Sequence, residues 1–184
     1  MRTKFREEAT PEGPGYTIRQ LGAGDAGQIR QLFISINREL APEHMAEVFE
    51  AYIAQALTTE IDRLAEYYAG QAGPTFWVYE INGSIVGTYG LERVGEHAWE
   101  LRRMYVASQY RRQGIGRLLL ADAIRNARAL GARELQLSTS ELQPAAIELY
   151  DNAGFKLEKV EKAEAASHKT VGAGITRYYY RHPL

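Results

Sequence analysis

Residues 100–116 read ELRRMYVASQYRRQGIG, and this stretch decides the fold. Its strand-like part ends at Val106, and two glycines, Gly114 and Gly116, stand where an apolar stripe of helical spacing begins. The N-terminus of a helix exposes unpaired backbone N–H groups and the positive end of its dipole, and glycine allows close approach to them. The stretch therefore predicts a strand, a turn and a helix start that suit a phosphate group.

Positive charge is concentrated around this turn. Residues 1–97 hold 8 Lys+Arg and 14 Asp+Glu, a net −6, whereas residues 98–184 hold 14 and 9, a net +5. Clustered arginines in the second half suggest an anionic ligand. They are Arg102, Arg103, Arg111, Arg112 and Arg117.

Several other site classes fit the sequence poorly. A P-loop needs GxxxxGK followed by Ser or Thr, which is absent, and a dinucleotide fingerprint needs a third glycine where Leu119 stands. Zero cysteines exclude disulfides, thiolate metal sites and a cysteine nucleophile. The four histidines show no ligand spacing, so we expect no metal cofactor.

Periodicity outside this stretch predicts a mixed α/β fold. Three helical stripes lie between a first strand at 16–21 and Gly70, with Asp25 as a candidate helix cap. Asn82-Gly83 predicts a hairpin, and three consecutive strands suggest an antiparallel meander. A helix, a strand, a helix and two final strands follow, the last two separated by a polar loop at 161–174. We therefore expect helices around one central sheet.

Three segments taken together resemble the GNAT superfamily of N-acetyltransferases. They are Glu100–Val106, Arg111–Gly116, which matches (Gln/Arg)-x-x-Gly-x-(Gly/Ala), and Leu149–Phe155, which resembles the family's LY...GF ending. The resemblance covers roughly residues 16–160. It implies a mixed, largely antiparallel central sheet flanked by helices, with residues 1–15 as a flexible tail and 16–184 as a single GNAT-like acyltransferase domain.

The resemblance also implies where acetyl-CoA, the co-substrate, would bind. The last strand residues before the turn would splay from their neighbour and meet the pantetheine arm, while the turn would hold the pyrophosphate. The family commonly has Asn before its Pro-x-Ala-x-x-x-Leu-Tyr run, where this chain has Gln143. The predicted cofactor-binding residues are Met104, Tyr105, Val106, Arg111, Arg112, Gln113, Gly114, Ile115, Gly116, Arg117 and Gln143.

Two residues are candidates for catalysis. Glu100 would be the general base, since an alkylamine is almost fully protonated at neutral pH, and the family places a comparable acid there in some members. The alternative is a surface pair between Glu100 and Arg102. Tyr150 would be the general acid for the departing thiolate, or would pack in the core beside Leu149 and Phe155. Without cysteine, we expect direct transfer in a ternary complex, with a backbone N–H near Met104 or Val106 meeting the oxyanion.

The acceptor and partners are less constrained. Four glutamates near the early helices favour a cationic amine acceptor, although they could equally form a solvated face. They are Glu39, Glu43, Glu47 and Glu50. We expect no nucleic acid partner, no membrane span and a cytoplasmic protein; a homodimer stays open. The rival interpretations are a non-catalytic acyl-CoA sensor and a generic nucleotide-binding protein.

Overall fold

The structure is a computed structural model that describes residues 15–70 and 73–184. The predicted N-terminal tail, apart from Gly15, lies outside the described residues. The centre of the molecule is a mixed sheet of seven strands, and helices pack against it. This arrangement confirms the predicted fold class.

The seven strands lie in the order β1-β2-β3-β4-β5-β7-β6. Neighbours pair antiparallel except β4 and β5, which are parallel. The strands β2, β3 and β4 thus form the predicted meander. Their bounds are β1 Tyr16–Gln20, β2 Phe76–Ile81, β3 Ser84–Arg93, β4 Ala98–Val106, β5 Glu134–Ser140, β6 Lys156–Ala163 and β7 Ile175–Pro183.

Within residues 15–70 and 73–184, five α-helices connect or cover the strands. The third predicted stripe is shorter than expected, because it divides into a 3-10 turn at Ile61–Arg63 and a four-residue helix. A small two-stranded sheet, Ala69–Gly70 with Gly73–Pro74, follows it. The helices are α1 Ala26–Leu40, α2 Ala46–Thr59, α3 Leu64–Tyr67, α4 Ile115–Ala129 and α5 Pro144–Asn152.

The turn between β2 and β3 confirms the hairpin signal. Asn82 and Gly83 have φ values of 49° and 80°. Both values lie in the left-handed region that a two-residue hairpin turn requires and that Asn-Gly tolerates best.

Asp25 does not act as the predicted side-chain cap. It precedes α1, but its side chain makes no capping hydrogen bond to that helix. Its carboxylate instead accepts from the Gly22 N–H at 2.6 Å and pairs with Arg19 Nη1 at 2.7 Å. The acidic group therefore ties the start of α1 to β1.

The core forms where the helices α1, α2 and α4 pack against the sheet. Leu119, Leu120, Ala123 and Ala127 are fully buried, as helical spacing predicts. Burial of each large apolar side chain contributes roughly 1.5–3 kcal/mol. Across the described residues, the helices include none that combines the length and the apolar character needed to span a membrane.

Candidate acyl-CoA and acceptor site

The sheet opens at its centre, between β4 and β5. Their parallel pairing runs from Ala98 with Glu134 to Leu101 with Leu137 and then ends, within the described residues. Both strands continue beyond this point, β4 to Val106 and β5 to Ser140. An opening between two strands leaves one edge of each without a ladder partner.

A bulge in β4 accompanies the opening. The register against β3 shifts between Thr88 and Gly90, and Arg103 takes a φ of 51°. Beyond the bulge, the Ala107 N–H bonds to the Val86 carbonyl at 2.8 Å, on the β3 side. Since backbone groups alternate in direction along a strand, the N–H groups of Met104 and Val106 face the opening.

The turn at the end of the opening leads into α4. Gly114 precedes this helix with a φ of 84°, a conformation that glycine adopts readily. The N–H groups of Arg117 and Leu118 bond to the Gly114 carbonyl. For the N–H groups of residues 113–116, no backbone acceptor is present in the described part of the chain. A helix start with such groups suits an anion.

The predicted turn residues contribute in different ways. Arg112, Gln113, Gly114 and Arg117 are exposed, whereas the Ile115 side chain is buried and leaves only its backbone available. A Cβ at Gly116 would lie 3.5 Å from a Leu149 methyl, an ordinary contact. That distance leaves room for alanine, the alternative that the GNAT signature allows here.

Arg111 is already engaged in this structure. Its guanidinium makes a two-pronged pair with Glu39 of α1, at 2.5 and 3.1 Å. Its Nε donates to the Val106 carbonyl at 3.0 Å. Arg111 therefore links the turn, the end of β4 and α1.

A cavity of about 110 Å³ lies within the opening. It brings together both candidate catalytic residues and three of the predicted cofactor residues. These five are Glu100, Met104, Tyr105, Gln143 and Tyr150. Val106 and the turn residues are not part of its lining. Arg111 reaches back to Val106, which follows the cavity residues Met104 and Tyr105 along β4, so the cavity and the turn lie along the same strand.

Glu100 does not pair with Arg102. Its Oε2 lies 3.0 Å from the Nζ of Lys169, which is also 3.0 Å from Oε2 of Glu92. Lys169 lines the cavity too. Two carboxylates therefore share one ammonium beside the cavity, and Glu100 is the one of them that lines it.

Tyr150 packs against two aromatic rings and also lines the cavity. Its ring packs 5.8 Å from that of Phe155 and 6.0 Å from that of Tyr180, measured between centroids, and it also lines the cavity. Burial, reinforced by Tyr105 and Tyr180, raises its pKa well above the usual phenol range. The phenol therefore stays protonated at neutral pH.

Gln143 stands just before α5. Its Oε1 accepts a hydrogen bond from the Thr139 hydroxyl at 3.2 Å. The residue lines the cavity, so its amide NH₂ can still donate.

Arg102 and Arg103 do not join the phosphate-binding group. Both are buried and contact Glu60, Arg102 at 2.8 Å and Arg103 at 2.6 Å, and Glu60 is fully buried. Burial alone would raise the pKa of Glu60, but the hydrogen bonds and charges of Arg103 and Arg102 outweigh it and lower the pKa. Clustering in sequence was therefore misleading for these two arginines.

The four early glutamates lie away from the cavity. Glu39 pairs with Arg111 and Glu50 with Arg38, at 2.5 and 2.6 Å. None of the four lines the cavity. The charged residues that line it are Glu100, Arg102, Arg103, Lys169 and Arg177.

Sequence reasoning missed Glu60, Glu92 and Lys169. Glu60 had a detectable signal, because it interrupts the apolar stripe between Leu57 and Ile61 at a spacing where burial is expected. Lys169 had none, since it lies in the irregular segment 164–174 between β6 and β7.

An opened mixed sheet with an anion-binding helix start at the opening is typical of acyl-CoA-dependent transferases. The Acetyltransferase (GNAT) family matches residues 30–155, and the chain belongs to this family.

Named relatives agree with that assignment. N-acetyltransferase 8 of Rattus norvegicus is 36% identical over 110 residues, covering 57% of this chain and 50% of the relative. The probable N-acetyltransferase camello of Xenopus tropicalis is 31% identical over 134 residues, covering 72% and 61%. The chain thus spans only about half to three fifths of the length of these relatives.

Solved structures share the fold. YncA of Salmonella typhimurium, a putative acetyltransferase whose structure contains its cofactor acetyl-CoA, superposes with a TM-score of 0.68 at 23% identity, covering 92% of this chain and 94% of that one. A GNAT acetyltransferase of Staphylococcus aureus gives a TM-score of 0.66 at 21% identity, covering 92% and 99%.

Proposed function

We propose that this chain transfers the acetyl group of acetyl-CoA to a primary amine, directly, within a ternary complex. One observation carries the proposal. Strand β4 runs along the opening from a cavity lined by a carboxylate and a buried phenol towards a helix start whose first N–H groups have no backbone acceptor in the described residues. A long, thin ligand with a diphosphate at one end and a thioester at the other fits that arrangement.

The turn would bind the cofactor's pyrophosphate. The N–H groups of residues 113–116 would donate to its oxygens, and the exposed guanidiniums of Arg112 and Arg117 would add charge-assisted hydrogen bonds. The free edge of β4 at Met104 and Val106 would pair with the amides of the pantetheine arm, and Gln143 also lines the cavity. The thioester would then point into the cavity.

Glu100 would accept a proton from the incoming ammonium. The carboxylate already binds an alkylammonium, that of Lys169 at 3.0 Å. This contact supports a cationic amine acceptor more directly than the early glutamates do. Removal of that proton, directly or through one water, exposes the nitrogen lone pair that attacks the thioester carbonyl.

The departing thiolate would meet Tyr150. A phenol whose pKa is raised by burial is a weaker acid than free tyrosine, so its main contribution is a hydrogen bond that stabilises the sulfur anion as it forms. The oxyanion would be stabilised by the Met104 or Val106 N–H that faces the opening.

An amine-panel assay tests the proposal. The full chain is incubated with acetyl-CoA and single amines, namely a diamine, an amino acid, its amide and a lysyl peptide, and the released thiol is measured. Turnover with at least one amine, with intersecting lines in a double-reciprocal series, is expected. Tight coenzyme A binding without turnover on any amine would favour the acyl-CoA sensor, and ATP or NAD binding in competition with coenzyme A would favour a general nucleotide site.

Glu100→Gln separates base catalysis from binding. We expect kcat to fall about 100-fold at neutral pH and to recover partly as pH rises and more acceptor is neutral. Acetyl-CoA affinity should stay the same. Full turnover at every pH would show that Glu100 is not the base.

Tyr150→Phe tests the thiolate contact. Loss of the hydroxyl should lower kcat about tenfold and leave the affinity for acetyl-CoA nearly unchanged, since the ring still packs against Phe155 and Tyr180. Unfolding monitored by circular dichroism is the control. A drop in stability with normal kcat would assign Tyr150 to packing alone.

A further inference from the structure

Lys169 lies beside Glu100, the proposed general base. Its ammonium is 3.0 Å from Oε2 of Glu100 and 3.0 Å from Oε2 of Glu92. The residue lines the same cavity as Met104 and Tyr105. Its side chain is only 36% exposed, so the ammonium is held inside the site.

The fold fixes this lysine in place. Lys169 belongs to a tight turn in which the Ser167 N–H bonds to the Thr170 carbonyl at 2.9 Å, and the Lys169 N–H bonds to the Ser167 hydroxyl at 3.1 Å. Next to it, the His168 carbonyl accepts from the buried Arg103 at 2.6 Å, and the His168 ring lies 3.3 Å from the Tyr67 hydroxyl. The turn is therefore anchored to the buried Glu60 cluster, and Lys169 is directed at Glu100.

We propose that Lys169 is a site of self-acetylation, modified within the same molecule by acetyl-CoA bound in the opening. The inference rests on the proposed function, because it needs a bound thioester and Glu100 as base. A nucleophile held beside its base reacts at a high effective concentration. Four lysines lie in the described residues, and Lys169 is the one among them in the cavity lining.

The reaction is balanced by groups already present. Burial and Arg102 act to lower the pKa of Lys169, but Glu100 and Glu92 outweigh them and raise it, so the amine starts as an ammonium. Its proton passes to Glu100, and its lone pair attacks the thioester carbonyl. The N–C bond forms and the C–S bond breaks, the nitrogen loses its second proton, and the departing coenzyme A thiolate takes up that proton and leaves as the thiol.

Acetylation changes the site electrostatically. The amide product has no charge, so the ion pairs with Glu100 and Glu92 are lost. Glu100 then faces the cavity without its cation and can attract an external ammonium, while Glu92 keeps its pair with Arg102. Self-acetylation would thus convert an occupied acceptor site into an open one.

The test incubates the full chain with acetyl-CoA and no acceptor, and follows each lysine by peptide mass spectrometry. Lys169 should gain one acetyl group at least tenfold faster than Lys159, an exposed lysine that is also paired with a glutamate, Glu161. The rate constant should be unchanged on dilution of the protein. Lys169→Arg, which keeps the charge, should abolish the modification, whereas the control Lys159→Arg should leave Lys169 acetylation as it was.

The possible outcomes separate this inference from the proposed function. Turnover of external amines with Lys169 acetylated no faster than Lys159 would overturn self-acetylation and leave the enzyme activity intact. A Lys169 rate that rises with protein concentration would also overturn it, because the transfer would then be intermolecular. Failure of both Lys169 and every external amine to react would sink the proposed function itself.

Discussion

Two arginine-rich regions lie less than ten residues apart in the sequence and have opposite environments. Arg102 and Arg103 are buried, and both pair with Glu60, while Glu92 is a second partner of Arg102. Arg112 and Arg117 are exposed at a helix start where backbone N–H groups are free. The partner of a guanidinium, more than its position in the sequence, therefore decides whether it stabilises the fold or is available to bind a ligand.

The two arginine regions differ in what their positive charge can do. The buried arginines stabilise the fold. Arg103 of β4 donates to the Tyr52 hydroxyl of α2 and to the His168 carbonyl in the segment 164–174. The turn has positive potential left for a ligand. Breaking the first region should therefore cost stability, and breaking the second should cost affinity.

Glu60→Gln should have the largest effect. Removal of this buried charge leaves Arg103 without a carboxylate and Arg102 with Glu92 alone, which costs about 3–5 kcal/mol of unfolding free energy. Denaturant titration followed by circular dichroism measures this loss. The matched control is Glu50→Gln, whose exposed pair with Arg38 should contribute little.

The pH dependence of stability tests whether Glu60 is charged in the folded protein. The pKa of Glu60 is lowered by the fold, so its contribution is fully present above the unfolded-state value and is lost as pH falls through the folded value. The wild-type chain should lose more stability on acidification than Glu60→Gln does. Equal acid sensitivity in the two proteins would contradict a charged Glu60.

Arg112→Gln should weaken coenzyme A binding about tenfold, which corresponds to about 1.4 kcal/mol, because one charge-assisted contact to the diphosphate is lost. Stability should not change, since the residue is exposed. Isothermal titration calorimetry measures the affinity. Arg30→Gln removes a similarly exposed cation that pairs with Asp62, away from the turn, and should bind as the wild type does.

Glu39→Gln should have the smallest effect, in the opposite direction. Glu39 holds Arg111 away from an incoming diphosphate, and release of that exposed pair should tighten coenzyme A binding about two- to fivefold. The same calorimetric titration detects it. Weaker binding in this variant would mean that Glu39 positions Arg111 for the ligand.

Local patterns predicted much of the fold. The Asn82-Gly83 hairpin, the meander and the buried face of α4 follow from turn chemistry and periodicity, which act over a few residues. The helix start at Gly114 was predictable for the same reason. These features need no knowledge of distant contacts.

The charged cluster of Glu60, Glu92 and Lys169 was not predictable in this way. Glu60, Glu92 and Lys169 come from three separate segments and meet only in the tertiary structure, and Arg102 pairs with the first two of them rather than with Glu100. Charged residues choose partners by position in space, so spacing along the chain gives no reliable guide to their pairing. The position of Tyr150 on the cavity wall was predicted through the family resemblance, and its catalytic role stays a prediction.

Amide NMR of the full chain during titration with coenzyme A tests the central claim most directly. If the turn and the edge of β4 bind coenzyme A, the N–H signals of residues 113–116 and of Met104 and Val106 should shift together with one dissociation constant. The Arg102 and Arg103 side-chain signals should stay in place. Binding that leaves residues 113–116 unperturbed, or no binding, would contradict it.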